Sequence, residues 1–583
     1  MTLVYRSTVG RRLTVSEGDG NISHLASGSV ISVKQAPFNA VGDGVTDDTA
    51  AIAAALATGA RRVIFPEGYT FITQGLSVST AKQEVVIRST VKLKNSTNQP
   101  VFTAAANRVK FRFEGGEIDG NKANQTTVTD GEGEGIWLAN GIDKVEIWDP
   151  YIHDTKRSGI AGYGNNDGCV VIGGEIADVG LMGIYPSQAS NRPNKRWQIS
   201  GVEISGFGQD GIGTVAIQHS IISGNRIVHP TDGVAVTGIA LEAECNYTNV
   251  FGNTIEGTAT VSLGGVGIQI NDCHNINVFG NNCKGLGIGI GVTQGGTSTY
   301  AISINDNTFD DCGYSGMAIQ LSPSSAGSNY DIRAKITGNI INNCPYAAIY
   351  VASSSHCDVS HNQIYGVNLQ NSTNKRYVAG IVLIGGSYYN TVTCNTIIEG
   401  TGGNLKIGIH EQATAGGDHS TVNTIKDNRI VGADYDIVCC GTANGQTVVS
   451  KVTRLSDASV AAAPTTGHWE RGDEVLNEQP AAAGVPGWVC TTSGTFGSAP
   501  TATGAITNGL TLLTLTNTTG LYTGMKIRVA GAGVASADLD TYIKALDSTG
   551  VVATLLNAAS TTVAGAVITF LNPVFKAQAV LAA

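Results

Sequence analysis

The chain has 583 residues, more than one compact hydrophobic core accommodates, so its length predicts either several domains or an elongated repeat. Its 75 glycines, 14 prolines and 14% charged residues favour many short strands joined by tight turns over a disordered chain. The formal net charge of −10 argues against nucleic acid as a partner, because neutralising phosphates requires a basic surface.

The amino terminus, MTLVYRSTVGRRLTVSEGDGN, carries basic residues with no apolar segment behind them, so we expect no signal peptide. No run approaches the roughly 20 consecutive apolar residues of a membrane span, and we expect no membrane partner. The eleven cysteines lie mostly singly within strand-like runs. This favours reduced, buried thiols over a disulfide framework.

A short helix is predicted over roughly 48 to 57, where an Ala/Ile/Leu face follows Asp47 and Asp48. Either aspartate suits the N-cap position, so we expect both to be structural rather than catalytic. Such a helix would cover the open end of a stack of strands, whose terminal coil otherwise exposes its core.

Two short patterns repeat through the centre of the chain. The first is an apolar residue, a spacer, Asn, a spacer and Ile, with a mean spacing of 29 residues between asparagines at 225, 253, 281, 307, 339, 362, 395 and 428. The second is a small residue followed by an alternating apolar strand, as in GIWLA at 135 and GIALEAE at 238. Two stations in each period are typical of a solenoid, and the period-2 alternation indicates that its elements are strands.

Glycine or asparagine at these stations is expected to supply the positive-φ corners where the chain turns from one face to the next. Asparagines at one corner of consecutive coils are also expected to stack their amides in a ladder. We interpret these asparagines as structural.

The repeat stops after about residue 445. Segment 467–497 and the following Thr/Leu alternation indicate further strands. We therefore assign 446–583 to one or two small β domains.

Segment 37–80 resembles the amino-terminal motif of the pectate-lyase-like superfamily as found in bacteriophage tailspikes. The resemblance is carried by Gly42, Asp43, Gly44, Thr46, Asp47, Asp48, Thr49, Phe65, Pro66 and Gly68. It implies an all-β chain, with a right-handed parallel β-helix and an N-terminal capping helix over 36–445. It is much less specific for chemistry, because the superfamily includes hydrolases, lyases, epimerases and adhesins.

The same resemblance implies the roles of the two ends and the assembly. Residues 1–35 would be a tail-attachment segment that docks on the phage tail or baseplate, and 446–583 would promote trimerisation or contact glycan. The implied protein is a homotrimeric tailspike of the virion tail that binds and depolymerises a bacterial surface polysaccharide. No cofactor is implied.

Hydrolysis of a glycosidic bond needs two carboxyl groups, and the segment GIALEAEC offers a pair. If Ile239 and Leu241 face inward, then Glu242 and Glu244 face outward on one strand, with Cα atoms roughly 6.6 Å apart. Asp210 and Asp232 precede neighbouring strands, and we predict that these four acids form the catalytic cluster. The competing interpretation is that they are solvated surface, and it applies also to the lesser candidates Glu411, Asp306, Asp310 and Asp311.

A second set of side chains is predicted to line a glycan groove along the outward positions of the second station. Aromatic faces stack on sugar rings, while amides and imidazoles exchange hydrogen bonds with hydroxyls. The set is Trp137, Tyr185, Gln269, Gln320, Tyr350 and His410. The alternative is that some of these rings cover loops or lie between subunits.

Two other functions remain open. A lyase needs a base and a group that neutralises a uronate, and Lys156 and Arg157 beside Asp154 and Tyr163 keep that reaction open. A non-enzymatic adhesin would bind glycan in the same groove. We find no spacing typical of a metal site, no Cys/His arrangement and no phosphate loop.

Overall fold

The structure is a computed structural model, and a defined part of the chain is described. The described residues are 30–126, 129–188, 193–230, 236–257, 265–294, 299–313, 317–322, 331–368, 378–400, 405–412, 422–433, 435–438, 448–449, 453–455, 463–465, 468–469, 474–476, 485, 487–492, 494–495, 502–516, 526–546, 552–570 and 574–577. The chain divides into two compact units. The first comprises Met1–Leu286 and Gly296–Thr299, and the second comprises Gly287–Gly295 and Tyr300–Ala583.

The first unit is a right-handed parallel β-helix, as predicted. Each coil contributes one strand to each of three parallel sheets. Sheet I contains Val30–Ser32, Arg62–Phe65, Glu84–Ile87, Lys110–Phe113, Glu146–Trp148, Val170–Ile172, Gln198–Ser200, Ile221–Ser223, Asn249–Phe251 and His274–Phe279. Sheet II contains Asp43–Asp47, Thr70–Thr73, Thr90–Leu93, Glu117–Asp119, Tyr151–His153, Glu175–Ala177, Glu203–Ser205, Arg226–Val228, Thr254–Glu256 and Asn282–Lys284. Sheet III contains Leu76–Val78, Phe102–Ala104, Ile136–Leu138, Ile160–Tyr163, Ile184–Ser187, Asp210–Val215, Thr237–Glu242 and Val266–Asn271.

Smaller elements complete the first unit. The helix predicted near the amino terminus spans Thr49–Leu56, and its own residues Ile52, Ala55 and Leu56 are buried. A 3-10 turn spans Lys122–Asn124, and the short strands Asn194–Lys195 and Ile217–Gln218 pair in parallel. No helix among the described residues is long and apolar enough to cross a membrane.

The second unit repeats the three-sheet coil and adds small β domains. Its sheet I strands are Tyr300–Asn305, Lys335–Thr337, Asp358–Ser360, Thr391–Thr393, Thr424–Lys426 and Val448–Val449. Its sheet II strands are Thr308–Asp310, Ile340–Asn342, Gln363–Tyr365, Thr396–Ile398 and Arg429–Val431. Its sheet III strands are Ile288–Thr293, Ile319–Leu321, Ile349–Ala352, Ala379–Ile384, Ile407–Gln412 and Tyr435–Val438.

The carboxyl-terminal part of this unit contains three further sheets. A four-stranded sheet is made of Thr453–Leu455, Glu474–Leu476, Gly487–Thr492 and Val574–Ala577. A two-stranded sheet pairs His468–Trp469 with Gly494–Thr495. A closed barrel is made of Ala502–Ile506, Leu512–Leu515, Lys526–Val529, Leu539–Leu546, Val552–Leu555 and Val563–Phe570, with a 3-10 turn at Val534–Ser536.

Stacked isoleucines and asparagines hold consecutive coils together. The inward residues of sheet III in the first unit are fully buried and aligned in register, at Ile136, Ile160, Ile184, Ile212, Ile239 and Ile268. The predicted amide ladder is confirmed: the Nδ2 of Asn225 donates to Oδ1 of Asn253, and Asn253 to Asn281, both at 2.9 Å. In the second unit, Asn339 donates to Asn362 in the same way.

The residues with positive φ at the corners are not the ones that we predicted. The ladder asparagines have ordinary φ values, and the positive φ belongs to the residue before each of them, such as Gly224 and Gly252. The station glycines Gly135, Gly159 and Gly211 are needed for space instead. A Cβ on any of them would lie 2.5 to 2.6 Å from the Cγ2 of an isoleucine of sheet II.

Three rows of left-handed residues follow the three corners of the first unit. The row between sheets I and II contains Asp149, Gly173, Gly201, Gly224, Gly252 and Gly280. The row between sheets II and III contains Asp154, Asp178, Gly206 and Gly285. The row between sheet III and sheet I of the next coil contains Lys82, Arg108, Lys144, Gly168, Arg196, His219, Tyr247 and Asn275.

No disulfide joins the nine described cysteines, and eight of them are buried, as expected from their strand positions. Cys394 is the exposed one. Cys439 and Cys440 lie outside the described residues, as do nearly all of 1–35.

The aspartates beside the helix are structural, but neither acts as the simple N-cap that we predicted. Asp48 occupies the N-cap position without a side-chain bond to the helix. Its buried carboxylate instead accepts the backbone N–H groups of Val41 and Gly42, at 2.5 and 2.9 Å. Asp47 accepts the Thr49 N–H at 3.0 Å. Burial opposes ionisation of Asp47, but hydrogen bonds from Thr49, Gln74 and Lys94 lower the pKa of its carboxyl.

Replacing Asp48 by Ala should destabilise the first unit more than replacing Asp47 by Ala. The first change leaves two backbone donors without their buried acceptor and should cost about 2 to 4 kcal/mol. Asp47 is exposed and accepts one backbone N–H at the start of the helix, that of Thr49, so its loss should cost about 0.5 to 2 kcal/mol. Chemical denaturation followed by circular dichroism measures both, and equal losses would show that the Asp48 contacts contribute little.

Candidate functional site

The outer face of sheet III in the first unit carries the aromatic part of the expected groove. Register pairs Trp137 with Ala161 and Ala161 with Tyr185, and farther along the row Ala240 with Gln269. Trp137, Tyr185 and Gln269 therefore share one row, with small side chains between them. The Trp137 ring also stacks on Tyr163, with centroids 6.4 Å apart and an interplanar angle of 21°.

The second unit places the remaining groove residues differently. Gln320, Tyr350, Val382 and His410 again share one row on sheet III. However, Val382 and His410 are fully buried, and Val382 belongs to one apolar cluster with interior residues of the carboxyl-terminal barrel. Tyr350 packs against the same cluster. The expectation that His410 is an exposed glycan contact is wrong, because its side chain is fully buried. Tyr350 is half-buried, and its assignment as a glycan contact stays a prediction.

The three predicted acids that the structure describes, Asp210, Glu242 and Glu244, are not placed together on one strand. Asp210 begins the strand Asp210–Val215, and Glu242 ends the neighbouring strand Thr237–Glu242. Glu244 lies beyond that strand, after Ala243, and both residues have left-handed φ values of 71° and 49°. The expectation that Glu242 and Glu244 alternate along one strand is therefore wrong, because the chain turns towards sheet I between them. Asp232 lies outside the described residues.

The lesser candidate Glu411 faces the interior of the coil and is not a surface acid. It pairs in register with Leu383, an inward residue, and it is fully buried. Its Oε1 accepts a hydrogen bond of 2.6 Å from Nδ2 of Asn423. Glu411 therefore belongs to the interior of the coil.

Asp210 is set up electrostatically as a proton donor. Its side chain is 7% exposed. Burial, and then the charge of Glu242, raise the pKa of Asp210 to about 7, against the opposing effect of a hydrogen bond from Thr237. Desolvation also raises the pKa of Glu242, although that residue is exposed at the strand end. Near neutral pH a substantial fraction of Asp210 is therefore protonated, and the negative charge of Glu242 favours that protonated form.

Tyr185 belongs to the same electrostatic environment. Burial raises the pKa of its phenol, and the charges of Asp130 and Glu242 raise it further while Arg157 opposes them. The ring is half-buried, and its strand, Ile184–Ser187, lies next to the strand of Asp210 in sheet III. A phenol that stays protonated beside two carboxylates can donate a hydrogen bond to a sugar oxygen.

A second buried carboxyl, that of Glu134, lies in the same row as Asp210. Glu134 is 1% exposed, and burial raises its pKa to about 8, although Arg157 lies 3.4 Å from Oε1. Arg157 also bonds to Asp130, so its charge is shared. The backbone bonds run from Gly135 to Ser158, from Gly159 to Met182 and from Gly183 to Asp210. Glu134 is thus three coils from Asp210, roughly 14 Å at the usual strand spacing.

The sequence signal for Glu134 was available. The two acids whose pKa is raised each directly precede a station glycine, in EGIW at 134 and in DGIG at 210. This position lies in the corner between sheets II and III, where the absent glycine side chain lets neighbouring coils close over the preceding residue. The burial of this position depends on the contact between coils, so the sequence alone does not show it.

One group of side chains has metal-ligand geometry. Donor atoms of Asp119, His153 and Asp154 lie within 4.8 Å of one another. Lys92 lies 2.6 Å from the Asp119 carboxylate, and His153 lies 2.9 Å from Asp154. Because Lys92 already forms an ion pair with Asp119 and His153 already contacts Asp154, we assign no metal to the group.

A family model described as a right-handed beta helix region matches residues 165–364. No curated protein sequence matches the chain. Among solved structures, the Dettilon tailspike protein gp208 is 16% identical, with 94% of each chain covered and a TM-score of 0.39. Gene product 12 of bacteriophage phi29 is 16% identical, covering 74% of this chain and 60% of that chain, with a TM-score of 0.47. The GH87 α-1,3-glucanase of Streptomyces thermodiastaticus is 16% identical, covering 72% and 70%, with a TM-score of 0.44. We draw no argument about function from these likenesses.

Replacing Glu134 by Gln should remove part of the pH dependence of stability. A carboxyl whose folded pKa is raised from 4.5 to about 8 stabilises the fold while protonated, and that contribution is lost as pH rises towards 8. Wild-type protein should therefore lose about 2 to 4 kcal/mol relative to the variant between about pH 5 and about pH 8.

Thermal unfolding at a series of pH values measures this difference. Glu132→Gln, two residues earlier, is the control for loss of one acid and should follow the wild type. Parallel curves for wild type and Glu134→Gln would contradict the raised pKa.

Proposed function

We propose that the protein is a bacteriophage tailspike that binds a bacterial surface polysaccharide on sheet III of its first unit and hydrolyses it. The proposal is carried by the raised pKa of Asp210, which lies on an aromatic-lined face within electrostatic reach of Glu242, five residues farther along the neighbouring strand. Glycoside hydrolysis needs one protonated and one ionised carboxyl, and the pKa of Asp210, raised to about 7, supplies this difference near neutral pH. The resemblance of residues 42–68 to the tailspike motif supports the phage origin.

In this mechanism Asp210 protonates the leaving glycosidic oxygen, and Glu242 activates water or attacks the anomeric carbon. The charge of Glu242 helps to keep the proton on Asp210. If Glu242 is neutralised as it reacts, the pKa of Asp210 falls, and Asp210 can then accept a proton from water. Trp137, Tyr163 and Tyr185 would hold the sugar rings by stacking.

The charges of this face favour hydrolysis over elimination. A lyase must neutralise a uronate carboxylate at the reacting sugar. Arg157 is the cation on the Glu134 side of the face, and it already contacts Asp130 and Glu134. A lyase would leave an unsaturated product that absorbs in the ultraviolet, whereas an adhesin would leave the polymer intact.

Asp210→Asn and Glu242→Gln should each lower turnover by about 10²–10⁴-fold, because each removes a general acid or base. Glu244→Gln is the matched control and should retain activity, because Glu244 lies beyond the strand. The assay follows product size and ultraviolet absorbance after incubation with a panel of capsular and O-antigen polysaccharides. Normal rates in both site variants would move the catalytic site elsewhere, for example to the coils of Glu134, Asp154 and Asp167.

Activity in the wild type should also fall as pH rises through about 7, since Asp210 must be protonated. The acidic limb belongs to Glu242, whose carboxyl must be ionised. A rate that rises steadily above neutral pH would contradict the roles assigned to this pair.

We further propose that the protein forms a homotrimer whose amino-terminal segment attaches to the phage tail or baseplate. The tailspike resemblance and the additional carboxyl-terminal domains support this assembly. Sedimentation equilibrium at micromolar concentration should give a trimer, and a monomer under those conditions would contradict the proposal.

A further inference from the structure

The corner between sheet III and sheet I of the first unit differs chemically from the other two. Its left-handed positions carry Lys82, Arg108, Lys144, Arg196, His219 and Tyr247, which we call the basic corner row. Each backbone N–H donates to the carbonyl of the residue that precedes the next row member, as Lys82 does to Asn107 and His219 to Asn246. The six side chains therefore follow one line along consecutive coils, interrupted by Gly168.

This row is costly in backbone energy. A left-handed conformation is roughly 1 to 2 kcal/mol less favourable for an ordinary residue, and glycine avoids that cost. The other two corners also place Asn39, Ser96, Asn98 and Asn121 at left-handed positions, but none of their described left-handed residues is a cation. The retention of strained Lys and Arg residues at this corner points to a function for their charged side chains.

The row is also costly in electrostatic energy. Lys82, Arg108 and Lys144 are on consecutive coils, roughly 4.8 Å apart, where like charges repel. All three side chains are exposed, and no acidic side chain of the described residues forms an ion pair with them. Arg196 is different, because it bonds to Asp167. Three cations without an ion-pair partner among the described acids therefore lie in one line, although the net charge of the chain is −10.

The row continues with rings. His219 and Tyr247 are exposed and stack with centroids 4.9 Å apart and an interplanar angle of 5°. Tyr247 meets His274 edge to face at 5.6 Å. Cations followed by exposed rings match a polymer that carries both carboxylates and apolar sugar faces.

The row flanks the candidate active face. Each coil passes from sheet III into this corner, so that Tyr247 follows Glu242 by five residues and Lys144 follows Trp137 by seven. A polysaccharide on sheet III could reach the row without leaving the first unit.

We propose that the basic corner row binds the carboxylates of the polysaccharide and that the substrate is therefore an acidic, uronate-containing polymer. This inference rests on the proposed function for its biological substrate. Binding of a uronate polymer to the row can nevertheless be measured without any cleavage.

The probe is hyaluronan, with carboxyl-reduced hyaluronan as its neutral counterpart and duplex DNA as a different polyanion. The row variant is Lys82→Gln with Arg108→Gln and Lys144→Gln. The control variant removes three exposed cations elsewhere, by Arg61→Gln, Lys335→Gln and Lys426→Gln. Affinity electrophoresis and isothermal titration calorimetry at low and physiological salt measure binding by the full chain.

The wild type should bind hyaluronan at low salt and bind its reduced form much more weakly. The row variant should bind hyaluronan about ten- to hundredfold more weakly, with a smaller salt dependence, while the control variant keeps most of the affinity. No binding by the wild type, or equal losses in both variants, would overturn the proposal. Equal affinity for duplex DNA would also overturn it, in favour of unspecific polyanion binding.

A second measurement separates binding from folding. Lys144→Gly removes a side chain and relieves its left-handed strain, so the thermal midpoint should stay level or rise while hyaluronan binding weakens. A lower midpoint would show that the side chain is structural and would contradict the strain argument.

The two proposals fail in different ways. Binding that depends on the row, without cleavage of any polysaccharide in the panel, would leave this inference standing and contradict the proposed hydrolase. Cleavage of a neutral polymer at equal rates by the wild type and the row variant would do the reverse.

Discussion

The close approach of sheets II and III at the station glycines is the constraint on which the first unit depends. A Cβ at Gly135, Gly159, Gly183, Gly211 or Gly238 would lie 2.5 to 2.7 Å from an isoleucine Cγ2 of sheet II. No side chain fits at these five positions, so these coils require glycine there, whereas the earlier coil that carries Val101 at the equivalent position does not. The residues that follow are thereby set in register, with isoleucine inward and the next residue outward.

The same constraint creates the electrostatics of the candidate site. Because the coils close over the glycine, the residue before it loses contact with water. In most coils that residue is neutral, as Ser158, Met182 and Thr237 are. Where it is an acid, as in Glu134 and Asp210, desolvation favours the protonated form. The carboxyls therefore acquire unusual pKa values from their place in the repeat, without a dedicated pocket.

Backbone strain and charge repulsion oppose stability at the third corner. The amide ladder and the isoleucine stack provide uniform cohesion from coil to coil, which lets one corner carry strained and like-charged residues without loss of the fold. The cost is distributed over several coils and is small at each. In the second unit, the carboxyl-terminal barrel covers Val382 and packs on Tyr350, so its sheet III face is used for domain packing.

The amino-acid sequence alone determined the features that depend on periodicity: stacked strands, the asparagine ladder, the small β domains and the row containing Trp137, Tyr185 and Gln269. It also located the helix, because a capping aspartate and an apolar face are local signals. The tertiary structure decided which side chains are accessible. Glu244 turns away at a left-handed corner, Glu411 faces inward, and His410 is fully buried, none of which alternation can show. The basic corner row required the structure as well, since its members are separated by 23 to 36 residues, counting Gly168, and no fixed period in the sequence connects them. Burial and alignment across coils are properties of the stack, and they exist only when the coils are in contact.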